Sequence, residues 1–435
     1  MPRAFGSPLW RNGAFVRVWS AATISIFGSL ITRMALPFVA ILVLQAGPLE
    51  VSLLRSLDVL AALLFGLIAG VWVDRLRRRP VLIWADLGRA LLLLSVPLGF
   101  VAGFLTLAQL FIVTLLTAIL TTFFDAADNA YLPTVVPRRE LVEANSALAA
   151  SGSAAEFTAF GVSGFLIQAL TAPITILLDA VSFLLSAVLL GTIRVAESDP
   201  PPVAERRHMV REIRDGIAIV SRDPVLRALA IAQMSQGLLW GVFGATYLLF
   251  AFQELSLGPA AIGLIAGAGG FGSLLGAMVA GRATRRWGIG PTAIGGMLLA
   301  GIGNALVPLA PAGAPLLAAG FLVGQQLVGD SGVTVYDITE QTVRQSTVEN
   351  RLLGRAASTF HVASGAAQLA ATLAAGLLAE LIGLRWVATL APIGAFAGAA
   401  VLWHSPVRSL RIRSLEDQPE LLEPEPGTPE RPIGA

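Results

Sequence analysis

Along the chain, short polar clusters separate long apolar runs. Twelve of these runs approach or pass the roughly 20 residues with which a helix crosses about 30 Å of hydrocarbon. They cover residues 18–44, 53–73, 81–104, 107–130, 144–170 and 174–193, then 228–252, 260–280, 289–309, 316–336, 356–381 and 386–403. Two echoes cross the polar interval that divides them. Gly66-Leu-Ile-Ala-Gly70-Val-Trp-Val-Asp74-Arg75-Leu-Arg77-Arg78-Arg79 returns in weaker form as Gly272-Ser-Leu-Leu-Gly276-Ala-Met-Val-Ala-Gly281-Arg282-Ala-Thr-Arg285-Arg286, about 207 residues later. Tyr131-Leu-Pro-Thr-Val-Val-Pro-Arg138-Arg139 returns as Tyr336-Asp-Ile-Thr-Glu-Gln-Thr-Val-Arg344, at about 205. A shared offset near half the chain predicts an all-α membrane protein with 12 transmembrane helices in two pseudo-symmetric six-helix bundles.

Arginine sets the expected orientation. Nearly all of the 30 basic residues fall in alternate connections or at the termini, while the connections around Gly47, Gly103, Ala172, Ser256 and Ala312 carry none and Arg385 is the exception. Cationic connections stay on the cytoplasmic side, so both termini are expected there, in a multi-pass plasma-membrane protein. The predicted division is residues 1–195 for the first bundle, 196–223 for a cytoplasmic linker, 224–405 for the second bundle and 406–435 for a disordered cytoplasmic tail. In the linker, Ile213, Ile217 and Val220 share one helical face, which predicts an interfacial helix with that face on the membrane or the bundle floor. The tail is Glu- and Pro-rich without apolar periodicity.

Composition narrows the chemistry. Hydrophobic residues make up 55% and charged residues 13%, with mean hydropathy +0.75, too little polar surface to solvate a globule of this length. Cysteine is absent and the three histidines are scattered, so no metal or cofactor is expected. The chain has no lysine and hence no phosphate-binding loop of the usual kind, and no catalytic set is visible; neither an enzyme nor a nucleic-acid partner is expected. The first apolar run is long enough to be a retained span, not a cleaved leader.

The Gly70-x-x-x-Asp74-Arg75-x-x-Arg78-Arg79 loop resembles the signature loop of the major facilitator superfamily. Further stretches resemble its exporter subgroup, which includes macrolide efflux proteins and the enterobactin exporter: Ala85-Asp86-Leu-Gly-Arg89-Ala, Phe123-Phe-Asp125, Leu132-Pro133 with Pro137, Ala144-Asn145-Ser146, and Arg344-Gln345 followed by Arg351-Leu-Leu-Gly354-Arg355. The resemblance implies two bundles rocking about a central cavity and using a proton gradient to expel drugs or siderophores. The chain departs from that pattern at Ala159-Phe160, where many proton-driven exporters have Gly-Pro, and at Ser29, where subgroup members often have an acid nearby.

A charge at mid-membrane costs about 2.5–3.5 kcal/mol, so each one is expected to be paired, wet or functional. Arg33 and Asp58 share a depth on sequential spans and are expected to pair facing a cavity, with Arg55 the competing partner for Asp58. Glu156, near the midplane, suits proton carriage or substrate contact; the alternative is an acid hydrogen-bonded to neighbouring Ser and Thr. Asp330, with Gln325, Gln326 and Gln236, could orient a polar substrate or join helices. Asp179 is expected to be structural. The loop charges Asp74, Arg75, Arg78 and Arg79, following Gly70, are expected to bridge to the cytoplasmic ends of neighbouring helices, where Asp125 or Asp128 supplies acids, and to latch the outward-facing state; the alternative is that the arginines only set topology. Pairs such as Gly66/Gly70, Gly263/Gly267, Gly272/Gly276 and Gly320/Gly324 predict close helix contacts, and Trp240 and Phe243 could line an apolar cavity.

The favoured expectation is a monomeric, proton-coupled exporter of amphipathic small molecules. The alternatives are an importer or facilitator of an anionic solute that uses Arg33, and more distantly a membrane scaffold or lipid-handling protein.

Overall fold

The computed structural model describes residues 8–73, 75–195, 197, 209–349 and 352–411. The chain is helical: α1 Pro8–Arg11, α2 Gly13–Phe38, α3 Pro48–Val73, α4 Arg78–Val101, α5 Leu107–Val135, α6 Leu141–Leu170, α7 Ala172–Gly191, α8 Met209–Arg222, α9 Pro224–Leu249, α10 Pro259–Trp287, α11 Ile289–Leu309, α12 Pro315–Thr347, α13 Leu353–Ile382, α14 Leu384–Ala388 and α15 Leu390–Trp403. Starts are set locally. Asn12, Thr106 and Asp223 cap α2, α5 and α9 by accepting from first-turn backbone N–H groups, and α3, α9, α10 and α12 each begin on proline, whose missing N–H costs nothing there.

Among the described residues, ten helices are long and apolar enough to cross a membrane. α3, with 26 residues, and α12, with 33, also have the length, and both carry charge: Arg55 and Asp58 on one, Asp330 and Asp337 on the other.

Backbone geometry displays the duplication directly. α2 ends in a π-helical turn at Val39–Val43 and α9 in one at Phe250–Glu254. Each is followed by a residue with positive φ, Gln45 at 53° and Ser256 at 55°. Gly103 and Gly313 match at 77° and 82°, and Thr171 and Gly383 at 82° and 88°. These landmarks set the repeat at about 211 residues, one helical turn more than the glycine echo suggests and about two turns more than the tyrosine echo. Packing repeats as well: α2 lies on α6 and α7 as α9 lies on α13 and α15, and α3 on α5 as α10 on α12.

The two sets of helices meet where α3 crosses α13 and α6 crosses α10. The second crossing depends on glycine. A Cβ on Gly164 would lie 3.0 Å from Gly263 Cα, and one on Gly263 would lie 2.9 Å from Gly164 Cα. Gly272 and Gly276 similarly admit α12, whereas Gly66, Gly70 and Gly320 face open space, so those three do not serve the close packing expected of them. Phe38 and Phe252 meet edge to face at 6.1 Å, and Phe38, Val39, Leu249 and Phe250 are wholly buried, which seals the arginine-poor face.

Arg385, the exceptional cation on that face, is a clasp. It pairs with Glu254 at 3.1 Å, donates to the carbonyls of Pro308 and Ala310 at the end of α11, and lies over the Phe250 ring. At the opposite face, α8 packs on α13 through Gly216 and Val220, with an Asp215–Arg355 pair at 3.2 Å. Of the expected apolar face, Val220 is buried and Ile217 is exposed, while the side chain of Ile213 lies outside the described residues; Gly216 sits against α13 at Arg355 and Thr359. Residues 406–411, expected in the tail, are ordered. Val407 is fully buried, and Leu410 accepts a hydrogen bond from the Gly290 N–H at the start of α11; residues 412–435 lie outside the described set.

Thr171 holds a backbone conformation, φ 82° and ψ 154°, that belongs to glycine, and its counterpart is Gly383 at 88° and 154°. Thr171→Gly is expected to stabilise the protein by about 1 kcal/mol, read as a rise in the thermal unfolding midpoint in detergent. An unchanged or lower midpoint would contradict strain at this turn.

Candidate functional site

Between the two sets of helices lies a cavity of about 730 Å³, closed at the arginine-poor face by the aromatic seal. Its lining follows the repeat. On α2 it is bordered by Ser29, Thr32, Arg33 and Leu36, and on α9 by Trp240, Phe243, Gly244 and Tyr247, their equivalents about 211 residues on. Asp58 corresponds to Gly269, Ala118 to Asp330, Glu156 to Gln368, and Asp125 to Asp337. The halves have diverged in chemistry: the first wall is polar and charged, and the second carries an aromatic ladder.

In that ladder Trp240 meets Phe243 edge to face at 5.6 Å, and Phe243 stacks on Tyr247 at 4.3 Å. The Tyr247 hydroxyl is buried without a hydrogen-bond partner and lies in the field of Asp330. Gly269 makes room for the Asp330 carboxylate, which a Cβ there would strike, with Gln326 beside it. Glu156, from α6, acts on Asp330 across the cavity. The expected roles of Trp240 and Phe243 as lining residues therefore agree with the structure.

Arg33, Arg55 and Asp58 line the same cavity, but no direct ion pair joins either arginine to Asp58. Both charges act on Asp58, Arg55 more strongly than Arg33. The expected Arg33–Asp58 pair is thus replaced by a looser triad. Arg55 is one turn from Asp58 on α3, whereas Arg33 reaches from α2. Gln236 is 3% exposed and supports the cavity instead of lining it, donating to Asp337 at 3.2 Å. Gln325 is 1% exposed and turned toward Gly329 and Asn304, a helix-joining position.

The loop between α3 and α4 reaches neighbouring helix ends through Arg79. Asp74 lies outside the described residues. Arg75 is exposed in the turn after α3. The Glu197 carboxylate accepts from the backbone N–H groups of Arg78 and Arg79 at 2.6 and 3.0 Å, capping α4. The Arg79 side chain donates to the carbonyls of Leu190 and Gly191 at the end of α7. Asp125 and Asp128 lie instead in the field of Arg89. Arg79 thus bridges to the end of a neighbouring helix, while Arg78 uses its backbone N–H and its Nε has no hydrogen-bond partner.

Arg89, quoted from the sequence only within the Ala85-Asp86-Leu-Gly-Arg89-Ala stretch, is a buried cation to which no role was given there. It is 2% exposed on α4, hydrogen-bonded to the fully buried Asp86 and held between the rings of Phe124 and Phe183 at 4.2 and 4.0 Å. The insertion cost that flagged Arg33 applies equally to Asp86 and Arg89, three residues apart in the third apolar run, and would have found them. Asp179 and Asp125 complete the surroundings of Arg89.

A duplicated helical fold around one charged, partly aromatic cavity defines a membrane transporter of the major facilitator type. The family of transmembrane secretion effectors matches residues 5–427, and the chain belongs to it. It is 26% identical over 390 residues to the uncharacterized MFS-type transporter YfiS of Bacillus subtilis, covering 87% of this chain and 89% of that one. It is 26% identical to the multidrug efflux pump Tap of Mycolicibacterium fortuitum, covering 86% and 91%. It is 25% identical to macrolide efflux protein A of Streptococcus pyogenes, over 50% of this chain and 53% of that one. A bacterial homologue of the iron transporter ferroportin, in an inward-facing state, shares the fold with TM-score 0.72 and 18% identity, covering 93% and 100%.

Arg89→Met leaves Asp86 without its cation and is expected to cost about 3–5 kcal/mol of stability, seen as early thermal unfolding in detergent. The double variant Asp86→Asn, Arg89→Met should recover most of the loss. No recovery would mean that Arg89 acts mainly by packing between the two rings.

Proposed function

We propose that this transporter exports positively charged, amphipathic small molecules in exchange for protons, by alternating access between two six-helix bundles, with 12 spans and both termini in the cytoplasm. The observation that carries this reading is the cavity's composition. The lining carboxyls Asp58, Asp125, Glu156, Asp179, Asp330 and Asp337 outnumber Arg33 and Arg55, and they face the ladder of Trp240, Phe243 and Tyr247. A flat apolar body with a cationic centre meets both demands, since aromatic faces attract cations in a desolvated site.

An anionic solute would have to rely on Arg33 and Arg55, which already share their wall with Asp58. Export is supported by the relatives named as efflux proteins. With the arginine-poor face outside, the sealed state would open inward, ready to load from the cytoplasm. In this reading Glu156 and Asp330 hold the substrate's charge, and the Arg385 clasp keeps the outer end of the second bundle together.

Proteoliposomes with an imposed pH gradient test the proposal, with tetraphenylphosphonium compared against a neutral and an anionic compound of similar size. Wild type is expected to move the cation faster when the gradient is imposed. Glu156→Gln and Asp330→Asn should each raise its KM about tenfold, the equivalent of about 1.4 kcal/mol. Preference for the anion, or cation movement indifferent to the gradient, would remove the reading.

A further inference from the structure

Asp179 is the least accessible carboxyl bordering the cavity, at 1% exposure, and its Oδ2 has no hydrogen-bond partner. Its position is built. Gly28 on α2 has no side chain because Asp179 Oδ1 and Ser182 Oγ occupy the space where a Cβ would project. The Ser182 hydroxyl donates to Asp179 Oδ1 at 2.9 Å. On the other side, Thr32 lies beside the carboxyl, yet its own Oγ1 also lacks a well-formed hydrogen bond. Both oxygens are buried, and both residues border the cavity.

Charge makes the same point. Asp86 and Asp179 are buried around one guanidinium, and Asp86 holds Arg89 by direct hydrogen bond, leaving Asp179 without a dedicated cation. The other ionisable groups are Asp125, which lines the cavity and acts on Arg89, and Arg33 and Glu156, on α2 and α6, which line the same cavity. A buried carboxylate without a counter-ion is relieved by binding a cation or a proton. A metal ion would need about six oxygens. The carboxyl has only Thr32 and Ser182 beside it, and Ser182 already serves as a donor. A proton on Oδ2 needs one acceptor, and Thr32 Oγ1 is at hand.

We infer that Asp179, seated between Gly28, Thr32 and Ser182 and backed by Arg89, is the proton site of this transporter, separate from the substrate-contacting carboxyls Glu156 and Asp330. The inference rests on the proton-coupled reading above. When a cationic substrate enters, the Asp179 carboxylic acid releases its proton to cavity water and becomes a carboxylate. The net charge of the cavity is conserved, and Arg89 faces the new anion.

The test is proton release on binding of tetraphenylphosphonium to the full-length protein in detergent, followed with a pH indicator in weak buffer. Wild type should release about one proton per bound cation. Asp179→Asn should release none, with folding checked by monodisperse elution and thermal unfolding. Release that persists in Asp179→Asn overturns the assignment. If wild type releases no proton across pH 6–8 the coupled reading itself fails, which is a different result. Should Asp179→Asn not fold, Thr32→Val provides the second arm. The carboxylic-acid band lost on ligand binding in the infrared difference spectrum should shift in that variant, and an unshifted band overturns the inference.

Discussion

The structure is governed by the energy of charge away from bulk water. A carboxylate or guanidinium in a membrane span is tolerated only against a partner or against water enclosed by protein. This chain uses both solutions and separates them in space. Asp86 and Arg89 form the dry one, packed between two rings, and Arg33, Arg55, Asp58 and Glu156 form the wet one, around the cavity. Asp179 sits at the boundary between them, buried like the first group and bordering the cavity like the second. Helix order follows from this division. The spans with cavity charges, α3 and α12 among them, must line the passage, while α4 and α11 can stand behind.

Duplication supplies a symmetric frame, and divergence supplies function within it. The π-helical turns and the positive-φ residues that follow them recur because both halves must end their first helix and reverse direction the same way. The cavity side chains recur in position but not in type. Asp58 gives way to Gly269, and the vacated space is taken by Asp330 from a neighbouring helix, where the first half has only Ala118. An acid thus moves from one span to another between the halves, which places charge beside the aromatic ladder. Substrate recognition and charge balance can then be changed on different walls without disturbing the packing that both halves share.

Much of this was legible in residues alone. Apolar run lengths locate the long helices, and the insertion cost of charge identifies Arg33, Asp58, Glu156 and Asp330 as cavity residues. The duplication was legible too, but its register was not. The echoes at Gly66 and Tyr131 miss the true offset by about one and two helical turns, since residues a turn apart share a face and match almost as well. In the loop the acids of α5 were the legible partners, whereas Glu197, which caps backbone N–H groups, and the α7 carbonyls that Arg79 caps were not. Backbone polar groups at helix ends leave little trace in a sequence, yet they compete for charge as strongly as side chains do. Arg385 illustrates the same point. It breaks the topological rule because α11 ends in carbonyls that require a donor there.

The closed arginine-poor face shows what a change of state would have to break. Its seal is mostly apolar contact, Phe38 against Phe252, together with backbone-to-backbone approach at Gly164 and Gly263. Such contacts carry no charge to be solvated when they part, and glycine surfaces separate without leaving side chains stranded. The ionic contact nearby, Arg385 with Glu254, lies within the second set of helices and does not bridge the two. The charges therefore stiffen the halves, while apolar contact, glycine packing and a hydrogen bond from the Ala260 N–H to Gln168 Oε1 join them. Under the proposed alternating access, that distribution lets the energy needed to open one face be matched by similar apolar contact formed at the other.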